Sequence, residues 1–544
     1  MEHDRGTSSR AGRCTPWLLC VLLLGAFLVR ASGASGPRSA SARAASGGFK
    51  AGRPLLCTYY FYWYDDASRQ HFLNSDGSDA LTDHPPREEG YSYKSEAWHR
   101  EQLSEMARAG IDVALPVYWG YPGGEAEWSL KGLEPMARAA RSLIRDGLPC
   151  PRLGLFYDTS TLQFNPLGYH ADLSTPEGRH WLCESAKLFF RAVPQDLWAR
   201  IGQKPILWLY SGAFAAQQDP KALDTLRRSF KSEFHVEPFV VKEISWEGRA
   251  DALYSWGAAL DPTVFSVAAL GPGYDHSAVP GRAPLKRDRE GGAFYTRCWE
   301  SLLARPKESR PSIAVIETWN EFHEGTDIAP SREYGHKYVD ITRRFARMWH
   351  SGVRLPPQGE YARTSRVRVV LTGRNRDQGI RQVDRPDGLT EAVAIDELGA
   401  RRTLPNPHGE SRYLYLDVDN AFYFGDRVPV NVEVTYLDDA ATPFGLDYDS
   451  TDAKALLAGA FKSAPPVARS GTGGWKKASF FLPDAAFTGR ANGSDFRLSI
   501  VGGDLTVRSV VVERVKPSTK KLPSAARPPK APGGAKPRKG SARS

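Results

Sequence analysis

At 544 residues, 41% hydrophobic and 25% charged, the chain is a folded protein too long for one small core, which excludes a single minimal domain and a wholly disordered chain. Much of its formal charge of +10 falls in residues 516–544, where Lys520, Lys521, Lys530, Lys536 and Lys539 alternate with Pro and Gly. That pattern reads as a disordered basic tail, solvated or touching an acidic envelope polymer, and nothing elsewhere resembles a nucleic-acid module.

In chain order, Arg5, Arg10 and Arg13 precede an apolar run from Trp17 to Val29 and small residues from Ala31. The run is shorter than the roughly 20 residues a spanning helix needs, so residues 1–34 are expected to be a cleaved secretory signal. An uncleaved anchor is the alternative. The expectation is a secreted, periplasmic or cell-surface protein without a membrane contact after cleavage, with a flexible leader over 35–52. Cys14 and Cys20 fall in the signal. The remaining Cys57, Cys150, Cys183 and Cys298 permit disulfides without prescribing a pairing, and no C-x-x-C spacing argues for zinc.

Residues 53–354 alternate short apolar runs with longer amphipathic segments. The runs are 56–64, 111–119, 152–158, 205–210, 238–246, 252–256, 263–270 and 313–319. Eight strands separated mostly by helix-length segments predict an α/β fold, a parallel (β/α)8 TIM-type barrel. The run at 252–256 is short and tightly connected, which leaves a seven-strand reading open. After Tyr93, Leu103, Met106 and Ala107 recur at helical spacing and Gly110 supplies a stop, so Glu101, Glu105 and Arg108 form a solvated face.

The last run carries the strongest signal. Ile313–Ile316 is apolar throughout, as in a strand covered on both faces, and then gives way to Glu317, Asn320, Glu321, His323 and Glu324. Polar side chains at the carboxyl end of such a strand sit where barrels place active sites. Glu321 and Glu324 share a face if the chain turns helically there, and paired carboxylates are what glycosidic cleavage needs. A capping box or surface ion pair is the bland alternative, against which stand the interleaved Trp319, Phe322, His323 and Gly325. Other runs end alike: Trp63 and Tyr64 after the first, Tyr118 and Trp119 after the second, Tyr157 and Asp158 after the third, Glu243 and Trp246 after the fifth, Tyr274 after the seventh. Converging strand ends would gather these into one aromatic, acidic cleft that binds substrate. The stretch 68–89, with His71, Asp76, Asp79, Asp83 and His84, reads as a loop over the cleft, because its spacing matches no Ca²⁺ loop. Neither a metal nor a cofactor is expected.

Leu355-Pro-Pro-Gln-Gly359 opens a linker (355–365). From 366 to 515 short alternating runs with Gly and Asp turns predict an antiparallel, jelly-roll-like β-sandwich, either a carbohydrate binder or a brace. Asp447, Asp449 and Asp452 are a candidate structural Ca²⁺ set within it.

Trp319-Asn-Glu-Phe-His-Glu-Gly-Thr-Asp-Ile328 resembles the N-E-W-H-E-G-T-Q-I signature of glycoside hydrolase family 99, the endo-α-mannosidases, with Phe322 in place of Trp and Asp327 in place of Gln. The aromatic tip at 59–64, the Val117-Tyr-Trp119 tip and Gly271-Pro-Gly-Tyr274 look like further strand-end motifs of that family. The resemblance implies a metal-free retaining barrel enzyme in which Glu321 deprotonates the sugar 2-hydroxyl, Glu324 serves as acid and then base, and Asn320 positions a hydroxyl. Where the family has an H-I-E-P-Y type cluster, this chain has Leu155-Phe-Tyr-Asp-Thr159, so the sugar is left open. The expected function is a secreted, endo-acting glycoside hydrolase using a Glu/Glu pair on a polysaccharide or glycan with retention at α-glycosidic, on the family's pattern α-mannosidic, bonds. The alternatives are a glycan-transferring enzyme of the same fold and a non-catalytic carbohydrate-binding surface protein.

Overall fold

The computed structural model describes residues 48–515 apart from Ala126, Ala283, Pro284 and His408. The expected signal (1–34), the leader up to residue 47, Cys14, Cys20 and the basic tail lie outside the described residues. The leader's end is built into the fold: the Phe49 N–H donates to the Arg200 carbonyl at 2.8 Å, and the Phe49 ring packs half-buried on the core.

All eight expected runs contain a strand: β1 (Leu55–Tyr60), β2 (Val113–Tyr118), β3 (Leu155–Tyr157), β4 (Lys204–Leu209), β5 (Phe239–Glu243), β6 (Ala252–Tyr254), β7 (Val267–Leu270) and β8 (Ile313–Ile316). Neighbours run β6-β5-β4-β3-β2-β1-β8-β7, each pair parallel, with Leu55 opposite Ile313 and Cys57 opposite Val113. Every residue of β1, β2, β7 and β8 is buried, which explains why these strands are apolar without alternation. Burying one Leu, Ile or Val side chain contributes about 1.5–3 kcal/mol, so this ring of strands is a main source of stability. Backbone pairing stops between β6 and β7. There the Ser266 hydroxyl bridges, accepting from the Leu253 N–H at 2.6 Å and donating to its carbonyl at 3.3 Å.

Helices α1 (Glu96–Ala109), α2 (Leu133–Arg145), α3 (Pro176–Ala192), α4 (Ala222–Phe234), α5 (Ala293–Ala304) and α6 (Lys337–Ser351) are the long helices among the described residues. The expected α1 is capped by Ser95, whose hydroxyl accepts from Trp98 N–H, and by Gly110 at φ 87°, with Leu103 and Met106 buried. The expectation of a complete (β/α)8 repeat is corrected here, because no such helix follows β5 or β6. The β5–β6 connection is too short to carry one. It is held instead by the Asp251 carboxylate, which accepts from the Val240 N–H and pairs with Arg227 of α4.

Beyond the barrel, β9 (Arg366–Val370), β10 (Ile380–Val383), β11 (Thr390–Ile395), β12 (Leu398–Thr403), β13 (Ser411–Val418), β14 (Val430–Leu437), β15 (Phe444–Tyr448), β16 (Trp475–Leu482), β17 (Phe496–Val501) and β18 (Thr506–Arg514) form two antiparallel sheets. In one sheet β18 lies between β14 on one edge and β9 and β12 on the other. The second has the order β10-β13-β17-β15. Alternate residues such as Val430, Val432, Val434, Leu414, Leu416, Leu498 and Ile500 fill the space between them. The sandwich meets the barrel through Asp261, whose carboxylate takes both Arg287 and Arg381, and through the Val264 N–H, which donates to the Thr488 carbonyl. Cys57, Cys150, Cys183 and Cys298 are each buried and free. No helix among the described residues is long and apolar enough to cross a membrane.

Candidate active site

Past Ile316 the chain forms a closed loop, not the helical turn that the Glu321/Glu324 spacing suggested. Thr318 N–H donates to Thr326 O at 2.9 Å and the two hydroxyls meet at 3.0 Å, so residues 318–326 are pinched at their base. The loop is anchored on β1, since Trp319 N–H donates to the Tyr59 carbonyl at 2.8 Å. Gly325 closes it at φ 53°, where an added Cβ would lie 3.2 Å from the Asp275 carbonyl oxygen. Both acids therefore sit at the carboxyl end of the barrel on a braced segment.

The Glu321 carboxylate is buried, and its Oε1 accepts the His323 N–H at 3.0 Å and meets His323 Nδ1 at 2.7 Å. Burial pushes the Glu321 carboxyl up, against the pull of His323. Burial also draws the imidazole down, but the Glu321 charge outweighs it and His323 stays above its usual value. The protonation of each group therefore depends on that of the other. His71, stacked on Trp63 at 4.3 Å, is instead lowered to about 3, first by burial and then by the charge of His323. Glu324 is half-buried, and its Oε1 meets Arg282 Nη1 at 2.5 Å.

Aromatic rings wall the mouth. Trp63 lies edge-on to Trp119 at 5.6 Å and to His323 at 5.4 Å, and Trp119 Nε1–H donates to Asp158 Oδ2 at 2.6 Å. Burial raises the Asp158 pKa even though Ser160 N–H and Trp119 stabilise its charged form. Tyr210 and Trp256, 5.1 Å apart, form a second wall with Tyr59 and Phe156. The Tyr210 phenol is pushed up by burial and by the charges of Asp158, Glu324, Glu317 and Glu243, which places it among four acids. Tyr274 is half-buried beside Glu324, its hydroxyl 3.0 Å from His276 Nδ1.

Several expected substrate contacts are corrected. Tyr118 packs on Phe189 of α3, Tyr157 accepts a hydrogen bond from Thr161, and Trp319 Nε1–H donates to Gln102 of α1. All three are buried away from the mouth, because successive side chains at a strand end face opposite ways and Trp119, Asp158 and Asn320 take the inward positions. Asn320 is inward but committed: its Oδ1 accepts from Phe61 N–H at 2.9 Å and its Nδ2 donates to the Phe61 carbonyl at 2.8 Å. Tyr64 braces the same turn by donating to the Asn320 carbonyl, and Trp246 supports Tyr210 through its Nε1–H. Glu243 is buried and accepts from Ser245. Tyr210, Trp256 and Arg282 are part of the mouth although the sequence reading left them out, whereas it had Glu317 in the acid cluster and His71 in the loop over the cleft without a role for either. For Tyr210 and Trp256 the signal was there, since each closes an apolar run as Trp119 does.

The Asp and His residues of the 68–89 loop are taken up by protein partners: His84 lies between Asp79 and Glu333, and Asp83 pairs with Arg289. The Asp449, Asp447 and Asp452 side chains are likewise paired, with Arg490, Arg497 and Lys462. No group of three or more His, Cys, Asp or Glu able to hold a metal occurs among the described residues.

Residues 46–359, more than half of the chain, match the family described as "Domain of unknown function (DUF5010)". No curated protein sequence matches the chain. Among solved structures it is similar to the GH99 endo-alpha-mannosidase from Bacteroides thetaiotaomicron, at 16% identity and a TM-score of 0.40, covering 55% of this chain and 98% of that one. It is also similar to a glycoside hydrolase-like protein at 14% identity and a TM-score of 0.39, covering 54% and 94%. A Thermotoga maritima alpha-L-fucosynthase gives 13% identity and a TM-score of 0.27 over 86% and 99%.

Proposed function

The chain belongs to the DUF5010 family, and from the site its barrel builds we propose that it is a retaining glycoside hydrolase acting on a polysaccharide or glycan. The observation that carries this reading is the pair Glu321 and Glu324, held on one braced loop at the carboxyl end of the barrel between aromatic walls. Sugar rings stack their C–H faces on such walls, and two neighbouring carboxyls in distinct surroundings divide acid and base work.

In the sequence that the family-99 resemblance implies, Glu321, coupled to His323, takes the proton of the sugar 2-hydroxyl. The 2-oxygen attacks C1 and forms a 1,2-anhydro ring as the C1–O bond to the leaving group breaks. Glu324 gives that leaving oxygen its proton and then takes one from the water that opens the anhydro ring at C1, while the 2-oxygen regains a proton from Glu321. Two inversions at C1 give net retention. Export through the apolar run at 17–29 belongs to the same proposal, since a polymer substrate lies outside the cell.

The observation that favours a binding-only reading is the Arg282 guanidinium on Glu324. A polysaccharide panel digested with wild type and Glu324→Gln separates the two. The enzyme reading expects reducing ends from wild type, a fall on the order of 10² or more in the variant, and retained binding. Binding without turnover by wild type contradicts it.

A further inference from the structure

Most cations around the barrel mouth are committed to protein partners. Arg289 is buried against Asp83, Asp327 and two carbonyls, Arg287 holds Asp261 and the Leu260 carbonyl, and Lys242 donates to the carbonyls of Trp246 and Gly248. Arg282 differs. It comes from the segment after β7, its side chain is 48% exposed, and among the described residues it pairs with Oε1 of Glu324 beside the Tyr274 hydroxyl. A guanidinium carries five N–H donors in a planar fork, so Glu324 and the neighbouring Tyr274 hydroxyl leave this half-exposed side chain with donors to spare.

Two consequences follow from that placement. An anionic sugar at this mouth meets carboxyls on most sides, and Arg282 on Glu324 is a half-exposed cation that can take its charge. The guanidinium also occupies the Glu324 oxygen that a leaving-group oxygen must reach, so productive binding has to move it. A substrate with its own carboxylate or sulfate lets Arg282 exchange one charge-assisted pair for another, whereas a neutral sugar offers no such exchange. Resting on the hydrolase reading above, we infer that Arg282 selects glycans that carry an anionic substituent, a uronate carboxylate or a sulfate, beside the bond that is cut.

The test compares polyuronates and sulfated polysaccharides with their carboxyl-reduced and desulfated forms, digested by wild type, Arg282→Ala and Arg282→Lys. For each enzyme kcat/KM on the charged polymer is divided by that on its neutral form, so the loss of the Glu324 counter-ion cancels within each variant. Wild type is expected to favour the charged form on the order of tenfold or more, mainly through KM, as a hydrogen-bonded charge pair allows. The ratio falls close to one in Arg282→Ala and is partly kept in Arg282→Lys, and the two polymer arms tell carboxylate from sulfate. Equal rates of wild type on both forms, or a preference that survives Arg282→Ala, overturn the inference and leave the hydrolase reading standing. If wild type cleaves no polymer of either kind, both fall together.

Discussion

Glu317 is a carboxyl at the barrel mouth that the proposed chemistry does not use. It ends β8, is buried, and accepts the backbone N–H groups of Gly257 at 3.0 Å and Ala258 at 3.0 Å. Burial outweighs those bonds and raises its pKa from an ordinary 4.5 to about 8. Between those values the folded chain keeps a proton that the unfolded chain has released, so raising the pH draws the equilibrium toward the unfolded state. The contribution is whole below pH 4.5 and is lost as pH rises through about 8. Thermal unfolding of Glu317→Gln is therefore expected to depend less steeply on pH across that window than wild type, and parallel curves would contradict the assignment. The proposed site at Glu321 and Glu324 was readable from an apolar run collapsing into acids. The opposite commitments of Asn320 and Trp319 were not, because neighbouring residues alternate in direction and the strand stops at Ile316, three residues before the run itself suggests.

The elements around the mouth are tied by one buried cation. Arg289, on the segment before α5, pairs with Asp83 of the loop after β1 and Asp327 of the loop after β8, each at 2.8 Å, and donates to the Gly325 and Asp327 carbonyls. All three side chains are buried, so removing the guanidinium leaves two acids without a counter-ion. Arg289→Met is expected to cost roughly 3–5 kcal/mol in chemical denaturation, in the range for breaking a buried pair. A loss below about 1 kcal/mol, the level of surface pairs, would show the cluster to be solvated. The strands of the barrel were readable because each is buried on both faces. The missing helices after β5 and β6 were less so: only the tightness of the connection at 244–251 hinted at them, and the Asp251 clamp that replaces a helix depends on Arg227 from another element. Arg282 escaped notice for a similar reason, since it stands 42 residues from Glu324 and meets it only through the fold.

On the scale of the whole molecule, barrel and sandwich share an ionic seam. Asp261 of the barrel takes Arg287 from its own part and Arg381 from the sandwich, and Arg381 also meets Asp417 at 2.8 Å. Burial raises the Asp417 carboxyl to about 7, with Arg381 opposing it. Arg305 adds to the seam: its guanidinium donates to the Phe424 carbonyl and is lowered to about 10 by burial. The two parts are expected to unfold in one calorimetric transition that Arg381→Met splits into two. A single transition in the variant would mean that the apolar and backbone contacts suffice. The sandwich strands β9, β13, β14, β16, β17 and β18 were readable from short alternating runs. The β11–β12 hairpin was not, because most of its residues are half-buried on both faces and give no apolar face to read.

Hydrolysis as proposed needs Glu321 and Glu324 to act together on a glycosidic bond. Its most direct test is reducing-end release from a cleaved polymer by Glu321→Gln, measured beside its melting temperature. The expected result is a loss of turnover on the order of 10² or more with the fold retained. Turnover at the wild-type rate from a folded Glu321→Gln protein would contradict it.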